Sequence, residues 1–398
     1  MHGRSMRRVG GLLFTIISGV SFTALVGAGS ASAQPASGPR FDHPTVTVDG
    51  YEFRVAGRVS LPGWLRIDGV PVGGLSGVDY DAGTGDWRAI SDDSSDQGPA
   101  RFYHLNLGLS GGNPAAGIVT LLRADGTPYP ASATAGQDTV RPEGVRFDPT
   151  TGDLFWANAG ERGIPEDGSA PTLVDPTVRQ SGTDGHFVAQ LVPSERMRAS
   201  TANTGIRAGQ GLSGLTFSAN AALVISTAAG PLLQDGPLPT ATEGAFTRIT
   251  SQSRTFGFRV VGQFAYPLDA LPSSPGDPAG LAGNEVAEIL AVADQRYLVL
   301  ERGFADGVGN SVRIYEVDLT AATNVGGVNS LVGATFTPAS KRLLVDLGDL
   351  GLGGVANFQG ITWGPALPSG ERTLVLVSDN DFDQHTPTEL LTLAVRVS

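Results

Sequence analysis

The 398-residue sequence predicts an all-β chain, and within that class a β-propeller of four-stranded antiparallel blades. Three observations carry this. With 40% apolar and 17% charged residues the chain is too apolar for disorder, and 55 Gly and 26 Pro are too many for a helical bundle. One motif recurs five times at intervals of about 71 residues, which marks a repeat architecture. Short apolar runs separated by turn residues follow each recurrence, the pattern of an antiparallel blade.

The first element lies outside that fold. Arg4, Arg7 and Arg8 form a basic start, Gly11 to Gly29 is uncharged and largely apolar, and Ala31-Ser32-Ala33 before Gln34 is a small-residue cleavage site. Residues 1–33 read as a signal peptide, 34–44 as a flexible N-terminus and 45–398 as a single propeller domain. The apolar run, about 19 residues long, would just serve as a membrane anchor, but the cleavage site favours removal. Arg7-Arg8 leaves twin-arginine export open beside the general route. The mature protein is expected to be secreted or periplasmic.

Composition narrows the partners. Arg4, Arg7 and Arg8 leave with the signal, so the net charge of −12 becomes about −15, which disfavours nucleic acid and anionic membranes. No Cys is present, so neither disulfides nor a lipid-modified N-terminal Cys contribute. A mature chain of about 365 residues can bury an ample core without them. No second apolar run is long enough to span a bilayer, and a monomer without stable membrane insertion is expected.

The repeat begins each unit. Its copies are Gly74–Asp81, Arg141–Asp148, Gly211–Ser218, Glu285–Val292 and Asn357–Gly364, with third positions at 76, 143, 213, 287 and 359. Four copies place Gly fourth, whereas the copy at Glu285 has Glu288 there. A second, strongly apolar strand follows at Trp87–Asp93, Leu154–Asn158, Leu223–Thr227, Tyr297–Glu301 and Leu374–Asp379. Turns such as Asp81–Asp86 and Asp148–Asp153 join the two as hairpins. Period-two alternation marks third strands at Arg101–Leu107, His186–Leu191, Phe246–Thr250, Val312–Val317 and Leu390–Val395, with fourth strands at 117–123, 257–264 and 342–347.

The last repeat stops after its third strand, while Tyr51–Val59 is a spare strand at the mature N-terminus. Closure of the ring by that strand pairs both ends and removes two edges. Five blades are expected, and six are possible if one of the long loops at 160–185, 193–211, 228–243 or 266–284 hides a degenerate blade.

These segments, with Ser91-Asp92-Asp93, Gly98–Tyr103, Leu300-Glu301-Arg302-Gly303 and Val377–Phe382, resemble the phytase-like family described as having esterase-like activity. The resemblance runs over residues 55–396 and implies a secreted propeller that hydrolyses phosphomonoesters or simple esters. Gln359 and Ser213 stand where that family more often carries Glu, which removes two acids.

In a propeller the starts of the innermost strands and the ends of the second strands meet at one mouth of the axial channel. Asp92, Asp93, Glu143, Glu161, Glu285, Glu288, Glu301, Asp379 and Asp381 are expected there, with Arg141, Arg162 and Arg302. Clustered carboxylates repel unless a cation neutralises them, and a Cys-free, His-poor oxygen set suits Ca²⁺ first and Mg²⁺ second. The expected catalytic residues are Glu143, Asp92, Glu301, Arg302 and Asp379, and the substrate-binding residues Arg141, Arg162 and Arg302. The metal ligands are expected among Asp93, Glu143, Asn158, Glu288, Asp379 and Asp381. A phosphate ester would bridge the cation and the Arg forks.

Other chemistries fit less well. Ser76 and Ser213 lie in Gly-Leu-Ser-Gly segments, but the apolar residue that follows breaks the nucleophile-elbow spacing. His104 and His186 fall on third strands away from the channel, leaving His385 as the candidate imidazole base. Glu143, Asn158 and Asp379 also resemble the Ca²⁺ ligands of lactonase-type propellers, and a non-catalytic extracellular binding propeller remains the third alternative.

Overall fold

The computed structural model describes residues 43–107, 115–132, 138–277 and 279–397. The expected signal peptide and all but the last two residues of the 34–44 segment lie outside these. Strands dominate the described residues, with helix limited to single 3-10 turns at 195–197, 233–235 and 347–350.

Five antiparallel sheets form the blades. Blade one contains Leu75–Asp81, Asp86–Ser91, Arg101–Leu105 and Ala115–Thr120 in that order. Blade three contains Leu212–Phe217, Leu223–Ala228, Ala245–Ser253 and Arg259–Leu268. Blade four contains Ala282–Ala293, Arg296–Ala305, Gly309–Asp318 and Ser340–Asp346. In all five blades the repeat segment is the innermost strand, and these strands touch in ring order from blade one to five and back to one. The fold is thus a five-bladed propeller, and among the described residues there is no sixth blade.

Blade two corrects one strand assignment. Its order is Pro142–Phe147, Leu154–Asn158, Thr177–Ser181, Phe187–Leu191, so the alternating segment near His186 is the fourth strand and not the third. The true third strand sits inside the expected 160–185 loop. Its Arg179 and Gln180 look like solvent residues, yet Arg179 is buried, paired with Asp138 and stacked on Tyr129 and Trp156. Tertiary partners therefore override a polar sequence.

Blade five shows the closure. Phe358–Gly364, Arg372–Ser378 and Thr388–Val397 are completed by Tyr51–Leu61, which runs antiparallel to the last strand from Tyr51 opposite Val397 to Leu61 opposite Thr388. Val46–Val48 adds a short outer strand. Phe53 and Leu61 point to opposite sides and join different cores, Phe53 against blade four and Leu61 against blade one.

Each neighbouring pair of blades encloses its own core. That explains the continuous apolar second strands: Leu374 and Leu376 face blade four, while Val375 and Val377 face blade one.

The repeated glycines let the innermost strands approach. A Cβ on Gly360 would lie 2.9 Å from the Gly77 Cα, and one on Gly77 would lie 3.0 Å from the Gly144 Cα. Glu288 breaks the pattern because its side chain fills the axis. It lies 3.2 Å from Arg146, whose guanidinium donates to the carbonyls of Val78, Val145, Ile289 and Ile361 on four innermost strands. Glu288 accepts from the Leu215 amide on the fifth strand of the ring. The channel is therefore a blind pit with a charged floor.

Candidate active site at the mouth of the ring

In every innermost strand the pairing register shifts around the third and fourth repeat residues. A bulge re-aims side chains locally. Here it borders a cavity of about 210 Å³ lined by Glu143, Ser213, Ala287 and Gln359 from third positions, together with Arg141, Glu285, Asp92, Arg302, Asp379 and Asp381.

The cavity has two chemically different sides. Asp92, Asp379 and Asp381 form an acid-rich side at the ends of the second strands of blades one and five. Asp379 accepts from the Asp381 amide at 2.8 Å and from the Gln359 amide nitrogen at 3.1 Å. Asp381 and Phe382 both adopt positive φ, with Phe382 packed where Gly73 and Gly74 leave no Cβ. The other side alternates charge. Arg141 lies 3.3 Å from Glu143, while Arg302 pairs with Glu285 and donates to Asn357 at 2.7 Å.

Electrostatics follow from that arrangement. Burial, then repulsion from Glu143, pushes the Asp92 carboxyl up to about 7. Burial likewise lifts Glu143 to about 7, with Arg141 opposing and Glu285 and Asp379 adding to the rise. Asp379 is raised to about 8 by burial and by Asp92 and Asp381. Five carboxylates face two guanidiniums, so the pit is short of positive charge.

Oxygen-only donors with an excess of negative charge fit a hard divalent cation in kind. Among the described residues no group of three acids or imidazoles forms a ready-made cation cage.

Of the expected site residues, Asp92, Glu143, Glu285, Asp379, Asp381, Arg141 and Arg302 line the cavity. Six others do not. Glu301, one residue before Arg302 on a pleated strand, points the other way, where Tyr266, Asn284 and Lys341 hold it. Asp93 pairs with Arg101 at 2.6 Å and accepts from the Asp96 and Gln97 amides. Asn158 turns its carbonyl to the Arg141 and Gly160 amides. Glu288 belongs to the floor. Glu161 and Arg162 sit in a separate hairpin, Glu161–Gly163 against Thr172–Val174, where Arg162 donates to the Ser200 and Ala202 carbonyls.

The serines and histidines are also placed. Ser213 donates to the Val286 carbonyl at 2.8 Å, and Ser76 lies against the Pro142 and Glu143 carbonyls, so neither hydroxyl faces a base. His385 is exposed on a turn organised by Asp383 and does not line the cavity. Arg146 is the residue that motif reading missed. Its signal was a cation at an inner-strand position where no other repeat carries one, matched by the Glu that replaces the repeat glycine in blade four.

The profile of the phytase-like family, described as esterase-like activity of phytase, matches residues 70–382. The chain belongs to the phytase-like family. No curated protein matches this phytase-like chain. Similar solved structures include an α-L-arabinofuranosidase from Lactobacillus brevis, at 11% identity and TM-score 0.43, covering 79% of this chain and 88% of that one. A family 43 β-1,3-galactosidase shows 12% identity and TM-score 0.43, covering 83% and 94%.

Proposed function

We propose that this phytase-like protein is an exported, monomeric hydrolase of phosphomonoesters or simple esters that works in the axial pit with a divalent cation, Ca²⁺ before Mg²⁺. The observation that carries the reading is the pit itself, where three carboxyls with raised proton affinity stand beside two guanidiniums.

The two sides divide the work. Asp92, Asp379 and Asp381 would hold the cation, drawing closer together than they stand in the structure, because that side has no basic side chain of its own. When bound, such a cation polarises the ester oxygen and lowers the proton affinity of water. Arg141 and Arg302 orient the anionic oxygens of the substrate by forked hydrogen bonds. Glu143 lies between them and carries the proton to the leaving oxygen, a role suited to a carboxyl that titrates near 7. Ester hydrolysis then consumes one water and yields an alcohol and an acid.

The test is turnover of aryl phosphates and aryl carboxylic esters by the mature chain, with and without EDTA. Loss of activity on chelation, recovery with Ca²⁺, and at least a hundredfold fall in kcat for Glu143→Gln are expected. Turnover indifferent to both treatments overturns the reading. Calcium binding without turnover on any ester or lactone would instead assign a binding propeller.

A further inference from the structure

A second cavity, of about 320 Å³, lies between blades three and four at the opposite end of the innermost strands from the acidic pit. Ser218 and Asn220 follow the innermost strand of blade three there, and Asp294 and Gln295 form the turn that ends the innermost strand of blade four. Its volume falls in the range of small-molecule sites.

Leu223, Val261, Phe264 and Leu319 make apolar walls. Two buried polar side chains also line it. Tyr297 is 1% exposed and Ser251 5%; among the described residues neither hydroxyl has a hydrogen-bond partner, and each oxygen keeps a little contact with solvent. A hydroxyl that meets solvent without a protein partner bonds to water, and a ligand entering the cavity can take that water's place. Asp294 stands at the rim, exposed, and among the described residues it makes no ion pair.

We propose that this cavity binds a small organic ammonium with an apolar body, of the arylalkylamine class. Apolar walls take the body, the uncompensated Asp294 carboxylate attracts the ammonium, and the two hydroxyls accept its hydrogen bonds or fix a ring substituent. Burial and the Asp294 charge push the Tyr297 phenol up to about 12, which keeps it a neutral hydrogen-bonding group. An anionic counterpart of the same shape meets Asp294 and the negative chain charge and is rejected. The site is independent of the hydrolytic pit and stands whether or not that pit turns over esters.

Calorimetric titration of the mature chain with 2-phenylethylamine and, separately, phenylacetate tests this. Because an ammonium could also enter the acidic pit, the titrations are made in excess Ca²⁺ and repeated with Glu143→Gln. Binding of the amine at least tenfold tighter than of phenylacetate is expected. Asp294→Asn should weaken the amine about fivefold, as expected for a partly exposed charge, and Tyr297→Phe should weaken it while leaving thermal stability intact. Absence of amine binding, equal affinity for both compounds, or a loss caused by Glu143→Gln and not by Asp294→Asn overturns the proposal.

Discussion

Arg146 and Glu288 face each other on the axis, each almost fully buried, and burial outweighs the guanidinium enough to move Glu288 from 4.5 to about 7. A carboxyl whose native pKa lies above its unfolded one binds more protons when folded. Its contribution is therefore fullest below about pH 4.5 and is lost as pH rises toward 7, by about 3 kcal/mol for such a shift. Denaturant titrations at pH 4.5 and 7.5 should show wild type losing that much more stability than Glu288→Gln across the interval. Parallel losses would mean that Glu288 does not titrate there. Adjacent residues at the mouth obey a second local rule. Glu301 and Arg302 look alike in sequence, but the pleat sends one into the interblade network and the other into the pit.

The innermost strand is the element that makes both the ring and the site. Its glycine allows backbone approach, and its bulge borders the cavity. Gly360→Ala would put a Cβ 2.8 Å from Cγ1 of the buried Val377, 2.9 Å from the Gly77 Cα and 3.0 Å from the Val78 nitrogen, so both a packed side chain and backbone would have to yield. A loss of about 2 kcal/mol is expected from such overpacking. Gly117→Ala, on the outer strand of blade one, meets nothing within 4 Å and serves as the control, with a change within about 0.5 kcal/mol. Equal effects of the two in denaturant melts would remove the close-approach argument. The third strand of blade two shows where element reading stops. Thr177–Ser181 is short and polar, and its burial depends on Asp138, Tyr129 and Trp156, which lie elsewhere in the chain.

Closure belongs to the whole molecule. Tyr51–Leu61 pairs along its length with the last strand and places Phe53 and Leu61 in two different cores. A chain beginning at residue 62 exposes the edge of Thr388–Val397 and opens both cores. It should elute as aggregate or expanded chain in size-exclusion chromatography and lack a cooperative thermal transition. The gentler variant Phe53→Ala should cost about 4 kcal/mol, since the ring is 1% exposed. A monomeric truncated chain melting at the wild-type temperature would show that closure does not hold the ring. The same global geometry brings Asp92, Glu143 and Asp379 from three different blades into one pit, where a common deficit of positive charge raises all three.

The amino-acid sequence alone determined the repeat, the identity of the innermost and second strands, and the N-terminal strand that closes the ring. Those features are written in local periodicity and in glycines that recur at one spacing. The seven acids and arginines that line the pit were legible for the same reason, because equivalent repeat positions must converge on an axis. Only the tertiary structure decided which charged neighbours stay out of it. Glu301, Asp93, Asn158 and Arg162 are claimed by partners on other strands and loops, and Glu288 with Arg146 seals the floor. The physical reason is that a buried charge goes where hydrogen bonds and counter-charges can compensate it, and those partners are set by packing within and between blades.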